Sequence, residues 1–506
     1  MTFYITTPIY YVNSTPHIGH AYTTIAADVV ARFHRQRGEE TFFLTGTDEH
    51  GSKIAQAAEQ QGLDPRGFVD RMAVVWRELP TRVNASNDFF IRTTDPGHEA
   101  VVQDFVQRVY DAGEIYEDVY RGLYCVACEA FYTDAELVEG RCPQHGTVPE
   151  FFEEKNYFFR LSAYEERLLR LYDENPELVL PRIRYNEARR FIEHGLEDIS
   201  ISRASQRWGI AVPWDPAQVI YVWVDALINY VSALSYAVDA EDLRPRFWPH
   251  VRHFLGKDIL KFHCVIWPAL LLAAGYDVPR QLFVHGYLLI DDRKISKSVG
   301  NVIDPLDLIS VYGVDPVRFF LLRVTQFGHD GSASIEGLHE RYERELGNDL
   351  GNLLSRTTAM IARYRGGEIA DASWASPFRG TLDGLGEGVA KRLDRFDLSG
   401  ALDEIWSVVR DLNRYVEERA PWQLAKDESR ATELDRTLYD LADGLRAVAV
   451  ALAPYLPETA PRILAALGQP AELAWERVAY GLTEPARGVE PAPPLFPRVE
   501  SPVTAE

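Results

Sequence analysis

The sequence predicts an α/β protein: a doubly wound parallel sheet, split by an inserted segment and followed by an all-α bundle. Three observations carry this. The chain opens on a strand, an amphipathic helix and a second strand. Strand-like runs return only after a polar, cysteine-bearing stretch. From residue 346 the apolar spacing is almost wholly helical.

Phe3 to Thr7 reads as the first strand. Ile18, Tyr22, Ile25, Ala26, Val29, Val30 and Phe33 then recur at helical spacing and bury one face. Gly38 stands where a glycine ends a helix. Thr41 to Thr45 is a second apolar strand, so the three elements form a parallel unit with a right-handed crossover, as at the start of a Rossmann-type nucleotide-binding sheet. Mixed and helical segments run to about Tyr116. Runs at Val219 to Trp223, Phe254 to Gly256 and Gln281 to Val284 read as the second half of the sheet. The expected divisions are residues 1–115 and 219–290 for the two halves of the sheet and 116–218 for the insertion. A lysine-rich loop region follows over 291–345, then a helical bundle over 346–480. The proline-rich stretch 481–506 reads as an extended or disordered tail.

A chain of 506 residues exceeds one compact core and suggests three or four domains. No N-terminal stretch pairs a basic end with an apolar core, and the longest apolar run, Cys264 to Gly275, is interrupted by Pro268. Secretion and membrane insertion are therefore not expected. Four cysteines, three of them clustered, favour a reducing cytoplasm. The net charge of −22 argues against a protein that coats nucleic acid. It leaves room for local phosphate contacts, since charges beyond about 10 Å are screened. The four arginines between Arg182 and Arg190 read as a solvated helix face.

His17-Ile18-Gly19-His20 falls where the first strand passes into the first helix. A helix N-terminus offers unpaired N–H groups and a positive dipole end to an anion. Histidines three apart project from one face of the first turn, and Gly19 removes a side chain that would block a ligand. Lys294-Ile295-Ser296-Lys297-Ser298 follows a strand and a polar turn, a cationic, hydroxyl-rich loop suited to polyphosphate. Each motif alone reads equally well as helix capping or a solvated turn. Separately, Cys125-x2-Cys128 and Cys142-x2-His145 are two paired-ligand knuckles with the spacing of a tetrahedral zinc site. Four protein ligands leave no open position, so one structural zinc per chain is expected. Asp134 and Glu136 in the same loop are alternatives to His145.

The histidine tetrad and the lysine loop together, in this order and context, resemble the two signatures of class I aminoacyl-tRNA synthetases. Further segments resemble methionyl-tRNA synthetases: Thr7 to Asn13, Phe43 to Gly51, Tyr221 to Ala226 with Tyr230, Gly256 to Ile259 with His263 and Trp267, and Phe283 to Tyr287. The similarity runs to about Leu467. It implies that ATP lies against His17, Gly19, His20, Gly256, Asp258 and Lys297, with Lys294 beside it. It implies a methionine pocket built from Ile9, Tyr11, Asp48, Trp223, Ala226, Tyr230, Ile259, His263 and Trp267. Aromatic rings favour a thioether by about 0.3–1.5 kcal/mol per contact, and a carboxylate suits the substrate ammonium. The resemblance also implies anticodon contacts from Asn352, Arg356 and Trp422, with the indole as a stacking platform. Its partners would be ATP with Mg2+, L-methionine and tRNA(Met).

Two departures stand out. Ile295 replaces the methionine common in this loop, and the chain ends without the C-terminal tRNA-binding barrel of some bacterial relatives, which favours a monomer. A branched-chain synthetase would carry a large editing insertion for which there is little room. A cysteine enzyme would place its zinc ligands around the amino-acid pocket. A non-catalytic tRNA-binding paralogue would have no need of His17, His20, Lys294 and Lys297 together.

Overall fold

Strands β1 (Thr2–Thr6) and β3 (Glu40–Asp48) are buried along most of their length, which is why they read as unbroken apolar runs rather than as alternating ones. The computed structural model describes residues 1–125, 130–132, 136–143, 146–239, 241–290, 293–294, 303–326, 328–370 and 374–499. Between the two strands runs α1 (Ile18–Gln36), closed by Gly38 at a positive φ of 72°. Thr2 to Thr6 pair in parallel with Glu40 to Leu44. The short β2 (Tyr10–Tyr11) continues along the same side of β3 at Thr47 and Asp48. On the other side lies β4 (Phe89–Arg92), reached through α2 (Ser52–Gln60) and α3 (Pro65–Arg82). At Gly46 a side chain would strike the Ile91 carbonyl at 2.1 Å, so the β3–β4 approach requires glycine.

The sheet resumes beyond the insertion with strands Val251–Gly256, beside β1, and Gln281–His285. All pairings in this seven-stranded sheet are parallel, and helices cover both faces.

After α4 (Pro96–Asp111) the inserted segment forms a long antiparallel hairpin, β5 (Ile115–Cys125) with β7 (Glu150–Phe159), and β6 (Ala130–Tyr132) on the β5 edge. Two differences from the sequence reading concern this region. The chain returns to the parallel sheet early: β8 (Val179–Leu180) forms its far edge beside Gln281–His285. Two residues are too few to show a pattern. Val219 and Ile220 end a strand of a separate antiparallel sheet, and the apolar run then continues as a helix, α7 (Val222–Tyr236). A short apolar run does not distinguish a buried strand from a helix buried all round, and α7 is the latter. Helix α5 (Glu165–Glu174) precedes α6 (Arg182–Glu193), on which Arg182 and Arg190 are exposed, Arg184 turns inward to the Gly328 carbonyl, and Tyr185, Ala188 and Ile192 are buried.

The bundle comprises helices Asn352–Arg365, Arg379–Leu393, Leu398–Arg419, Ala431–Leu452 and Thr459–Ala466. It is bolted to the parallel sheet by Arg318, which is fully buried. Its guanidinium donates to Asp28 Oδ2 on α1 (2.7 Å) and to the Val83, Pro454 and Tyr455 carbonyls (2.8–2.9 Å). Burial alone would raise the Asp28 carboxyl, but Arg318, Arg32 and the Ser86 hydrogen bond outweigh it and hold the group below its ordinary value. The described part of the proline-rich stretch is extended yet packed, not disordered. Ala486 bridges Ile369, the Ala492 N–H donates to Thr358 Oγ1 (2.9 Å), and Val489, Leu495 and Phe496 are buried. Proline lowers the entropy lost on ordering, so few apolar anchors suffice. Among the described residues no helix is long and apolar enough to cross a membrane.

Candidate active site

His17 is the N-cap of α1, with extended backbone. Its Nδ1 accepts the Gly19 N–H and the His20 Nδ1 accepts the His17 N–H, both at 3.1 Å. This is a reciprocal capping box with imidazoles in place of the usual hydroxyl and carboxylate. The capping reading and the ligand reading therefore coexist. Since both Nδ1 atoms accept, each neutral ring carries its proton on Nε2. The rings stand 3.7 Å apart, and His20 meets the edges of Tyr10 and Trp76. One turn on, Thr23 Oγ1 lies 3.1 Å from His285 Nε2, and the His285 Nδ1–H donates to the Gly286 carbonyl (2.7 Å).

These residues face a cavity of about 440 Å³ at the C-terminal ends of the parallel strands, where open α/β sheets bind ligands. Its wall includes Ile9, Tyr11, Asp48, Trp223, Ala226, Tyr230, Ile259 and His263 together with His17, Gly19, His20, Gly256 and Asp258. Every expected methionine-pocket residue reaches the cavity except Trp267. That indole is fully buried one layer behind, 6.2 Å from the Tyr230 ring. It donates Nε1–H to His253 Nε2 (3.2 Å), which leaves the His253 proton on Nδ1, facing Thr6 Oγ1 at 2.7 Å.

The pocket floor has a defined proton order. The Ile259 carbonyl accepts from His263 Nδ1–H (3.1 Å), so His263 Nε2 accepts from the Tyr230 hydroxyl (2.8 Å). Burial pushes His263 down to about 4 and raises the Tyr230 phenol, so both are neutral near pH 7. Trp223 stacks on Phe262 with centroids 4.0 Å apart. A π-turn at Phe262–Ile266 sets Phe262 and His263 before the helix Trp267–Ala273 begins. A side chain at Gly256 would meet the Asp258 carboxylate at 2.6 Å, so glycine keeps that carboxylate beside the strand end.

Leu288, on the cavity wall, begins a strand that pairs at Leu289 with Lys294. Lys294, the first residue of the lysine loop, is thus tied to a strand that starts on the cavity wall; Lys297 lies outside the described residues. In the insertion, Cys125 and Cys142 are buried and not disulfide-bonded. Both meet Thr147: the Cys125 Sγ lies 3.5 Å from its hydroxyl, and the Cys142 N–H donates to its carbonyl (2.9 Å). Gly146 turns back on Cys142 with a positive φ of 65°. Cys128 and His145 lie outside the described residues, and among those described no group of three or more potential ligands gathers. The Cys142 Sγ lies 3.6 Å from the Tyr132 hydroxyl, and two buried, unbridged thiols are the soft donor type that zinc takes.

The profile of the family described as tRNA synthetases class I (M) matches residues 3–149 and 144–358. A methionine–tRNA ligase of Caldanaerobacter subterraneus is 45% identical over 504 residues, covering 99% of this chain and 79% of the relative. That of Streptomyces coelicolor is 43% identical, covering 98% and 97%. The solved structure of Mycobacterium tuberculosis methionyl-tRNA synthetase in complex with methionyl-adenylate superposes with a TM-score of 0.94 at 42% identity, covering 98% of this chain and all of that one. The chain belongs to the class I methionyl-tRNA synthetase family.

Within that family framework, the bundle carries Asn352 as the first residue of its helix, donating to Asn348 Oδ1 (3.2 Å). Arg356 pairs with Glu417 at 2.5 Å. Five residues beyond Glu417, after the left-handed Ala420 (φ 43°), Trp422 is the second residue of the short helix Pro421–Leu424 and is half-buried against the bundle core. The structure therefore links Arg356 to the corner that carries Trp422. Sequence reasoning missed Lys53, Thr23, Tyr132 and Phe262 on the cavity wall. Lys53 lies just past the Phe43 to Gly51 segment and sits over the Tyr11 ring at 5.9 Å. Tyr132 arrives from the inserted hairpin and had no signal at all.

Proposed function

We propose that this chain, a methionine–tRNA ligase, activates methionine with MgATP and passes the methionyl group to tRNA(Met), with the following division of labour. The observation that carries the reading is one cavity that combines two Nε2–H donors at a helix N-terminus with an aromatic side pocket and the Asp48 carboxylate. A solved structure of a relative in complex with methionyl-adenylate supports it.

Asp48 takes the substrate ammonium. The thioether lies among Ile9, Tyr11, Trp223, Ala226, Ile259, Tyr230 and His263, while Trp267 backs that wall. A methionine carboxylate oxygen attacks the α-phosphorus of ATP, the bond to the bridging oxygen breaks, and pyrophosphate leaves. No side chain need accept a proton in this step, so catalysis is positioning plus neutralisation of phosphate charge. His17 and His20 hold phosphate oxygens, Gly256 and Asp258 the ribose, and Lys294 and Lys297 the leaving pyrophosphate. In the second step a hydroxyl of the tRNA 3′ end attacks the activated carbonyl, the bond from that carbon to the phosphate oxygen breaks and AMP departs, the hydroxyl proton passing to the departing phosphate or to water. Asn352, Arg356 and Trp422 read the anticodon. Cys125, Cys128, Cys142 and His145 would hold one zinc ion, which supplies structure to the tip of the insertion. Unbridged cysteines support a cytoplasmic setting.

Amino-acid-dependent exchange of pyrophosphate into ATP tests the reading. Methionine should support exchange and cysteine, valine, isoleucine and leucine should not. Lys297→Ala should slow it about 10²–10³-fold with methionine affinity unchanged. Exchange driven best by another amino acid would overturn the assignment.

A further inference from the structure

Asp225 is fully buried and forms no part of the cavity wall, yet it is a carboxylate among apolar neighbours on α7. Its Oδ2 accepts from His50 Nδ1–H and its Oδ1 from His98 Nε2–H, each at 2.7 Å. His98 Nδ1 in turn accepts from the Ser232 hydroxyl (2.7 Å), one α7 turn away from the pocket residues. Both imidazoles are buried. Burial would raise the Asp225 carboxyl, but the two histidines reverse this and keep it below its ordinary value.

The location gives the network its meaning. His50 lies two residues after Asp48, at the end of β3, and Asp225 lies between Trp223 and Ala226. His98 belongs to α4, so three elements meet on one carboxylate. The loop after Asp48 is clamped from its other side as well. Trp208 lies against the His50 ring (5.3 Å) and donates Nε1–H to the Glu49 carbonyl (2.7 Å). Glu49 is held by two nitrogens of Arg92 at 2.8–3.1 Å. A buried carboxylate is costly, and apolar packing would join these elements at least as well. What packing lacks is direction.

We infer that Asp225 is a positioning residue for methionine: through His50 and His98 it fixes the span between the Asp48 carboxylate and the side-chain wall at Trp223 and Ala226. That span is the distance from the ammonium to the side chain of the amino acid admitted. The inference rests on the reading that Asp48 takes the ammonium.

The test uses the full chain, with methionine affinity from equilibrium dialysis and KM values from pyrophosphate exchange. Asp225→Asn should weaken methionine binding and raise its KM about 10–100-fold, the usual cost of a sub-ångström to ångström misplacement, with the KM for ATP within about twofold of wild type. His98→Gln, whose amide nitrogen can stand in for Nε2, should retain most of the affinity. His98→Leu should behave like Asp225→Asn, and this pair decides the matter if Asp225→Asn does not fold. Equal losses for methionine and ATP, or wild-type methionine affinity in Asp225→Asn, would overturn the inference. Asp48→Asn separates the two readings. If it leaves methionine affinity intact, the ammonium reading fails. If it weakens methionine while Asp225→Asn does not, only the positioning role fails.

Discussion

His263 illustrates how much a single side chain in this cavity depends on its surroundings. An exposed imidazole would gain a proton near pH 6.5, whereas burial holds His263 neutral down to about 4. Its Nδ1–H is committed to Ile259 and its Nε2 to the Tyr230 hydroxyl, so protonation would break the second bond. The linkage has a definite sign. The folded pKa lies below the unfolded one, so the contribution to stability is complete above about pH 6.5 and is lost as pH falls towards 4. Methionine affinity measured without ATP should therefore stay within about twofold from pH 7.5 to 5.5. A loss of affinity with a midpoint near 6.5 that disappears in His263→Gln would show that the group titrates in the pocket after all.

At the scale of elements, the inserted hairpin divides into a base and a tip. The base is a long β5–β7 ladder with cross-strand pairs such as Lys155 with Glu117. The tip, from Tyr124 to Gly146, is short of apolar residues and exposes Val138, with Val148 and Phe151 exposed just beyond it. On the proposed reading, a segment with so little core of its own gains its fold from the bound zinc. Protein purified without added metal should carry one zinc per chain by elemental analysis. Cys125→Ala should lose it while keeping far-UV circular dichroism close to wild type, because the parallel sheet and the hairpin base do not depend on the tip. A stoichiometry near zero with thiols fully reduced would remove zinc from the account. Tyr132 gives the tip a functional stake, since it rises from β6 to the cavity wall.

Across the whole molecule, the proposed reading puts activation and RNA reading at different places, joined by a buried ion pair and its hydrogen bonds. The Asp28–Arg318 pair and the carbonyls at 454 and 455 bind α1 to the bundle without passing through the cavity. The two functions should then separate by mutation. Trp422→Ala removes a stacking surface worth about 1–3 kcal/mol, so transfer to tRNA should fall about 10–100-fold in kcat/KM. Methionine-dependent exchange and Tm should remain near wild type, since the indole is only half-buried. If exchange and Tm fall together with transfer, Trp422 serves the bundle core, and the anticodon roles of Asn352 and Arg356 weaken with it.

Periodicity and local motifs were enough to foresee the opening β–α–β unit, the helical bundle and a histidine tetrad at the start of the first helix. These depend on short-range spacing: 3.6-residue stripes, buried strands and histidines at a helix start all write themselves locally. The pocket residues Asp48, Trp223 and His263 were legible through family resemblance, because side chains around a fixed substrate recur at fixed positions. Other features were decided only in three dimensions. Val222 to Tyr236 is a helix because it is buried on every side, a fact no apolar run can announce. Val179–Leu180 is a sheet edge because Gln281–His285 lies ready to pair with it. Tyr132 reaches the cavity because an insertion folds back over it. Asp225 is tolerable in the core only because His50 and His98, 175 and 127 residues away in the chain, converge on its two oxygens. Sequence spacing records local geometry, whereas the stability of a buried charge depends on partners that only tertiary packing brings within 3 Å.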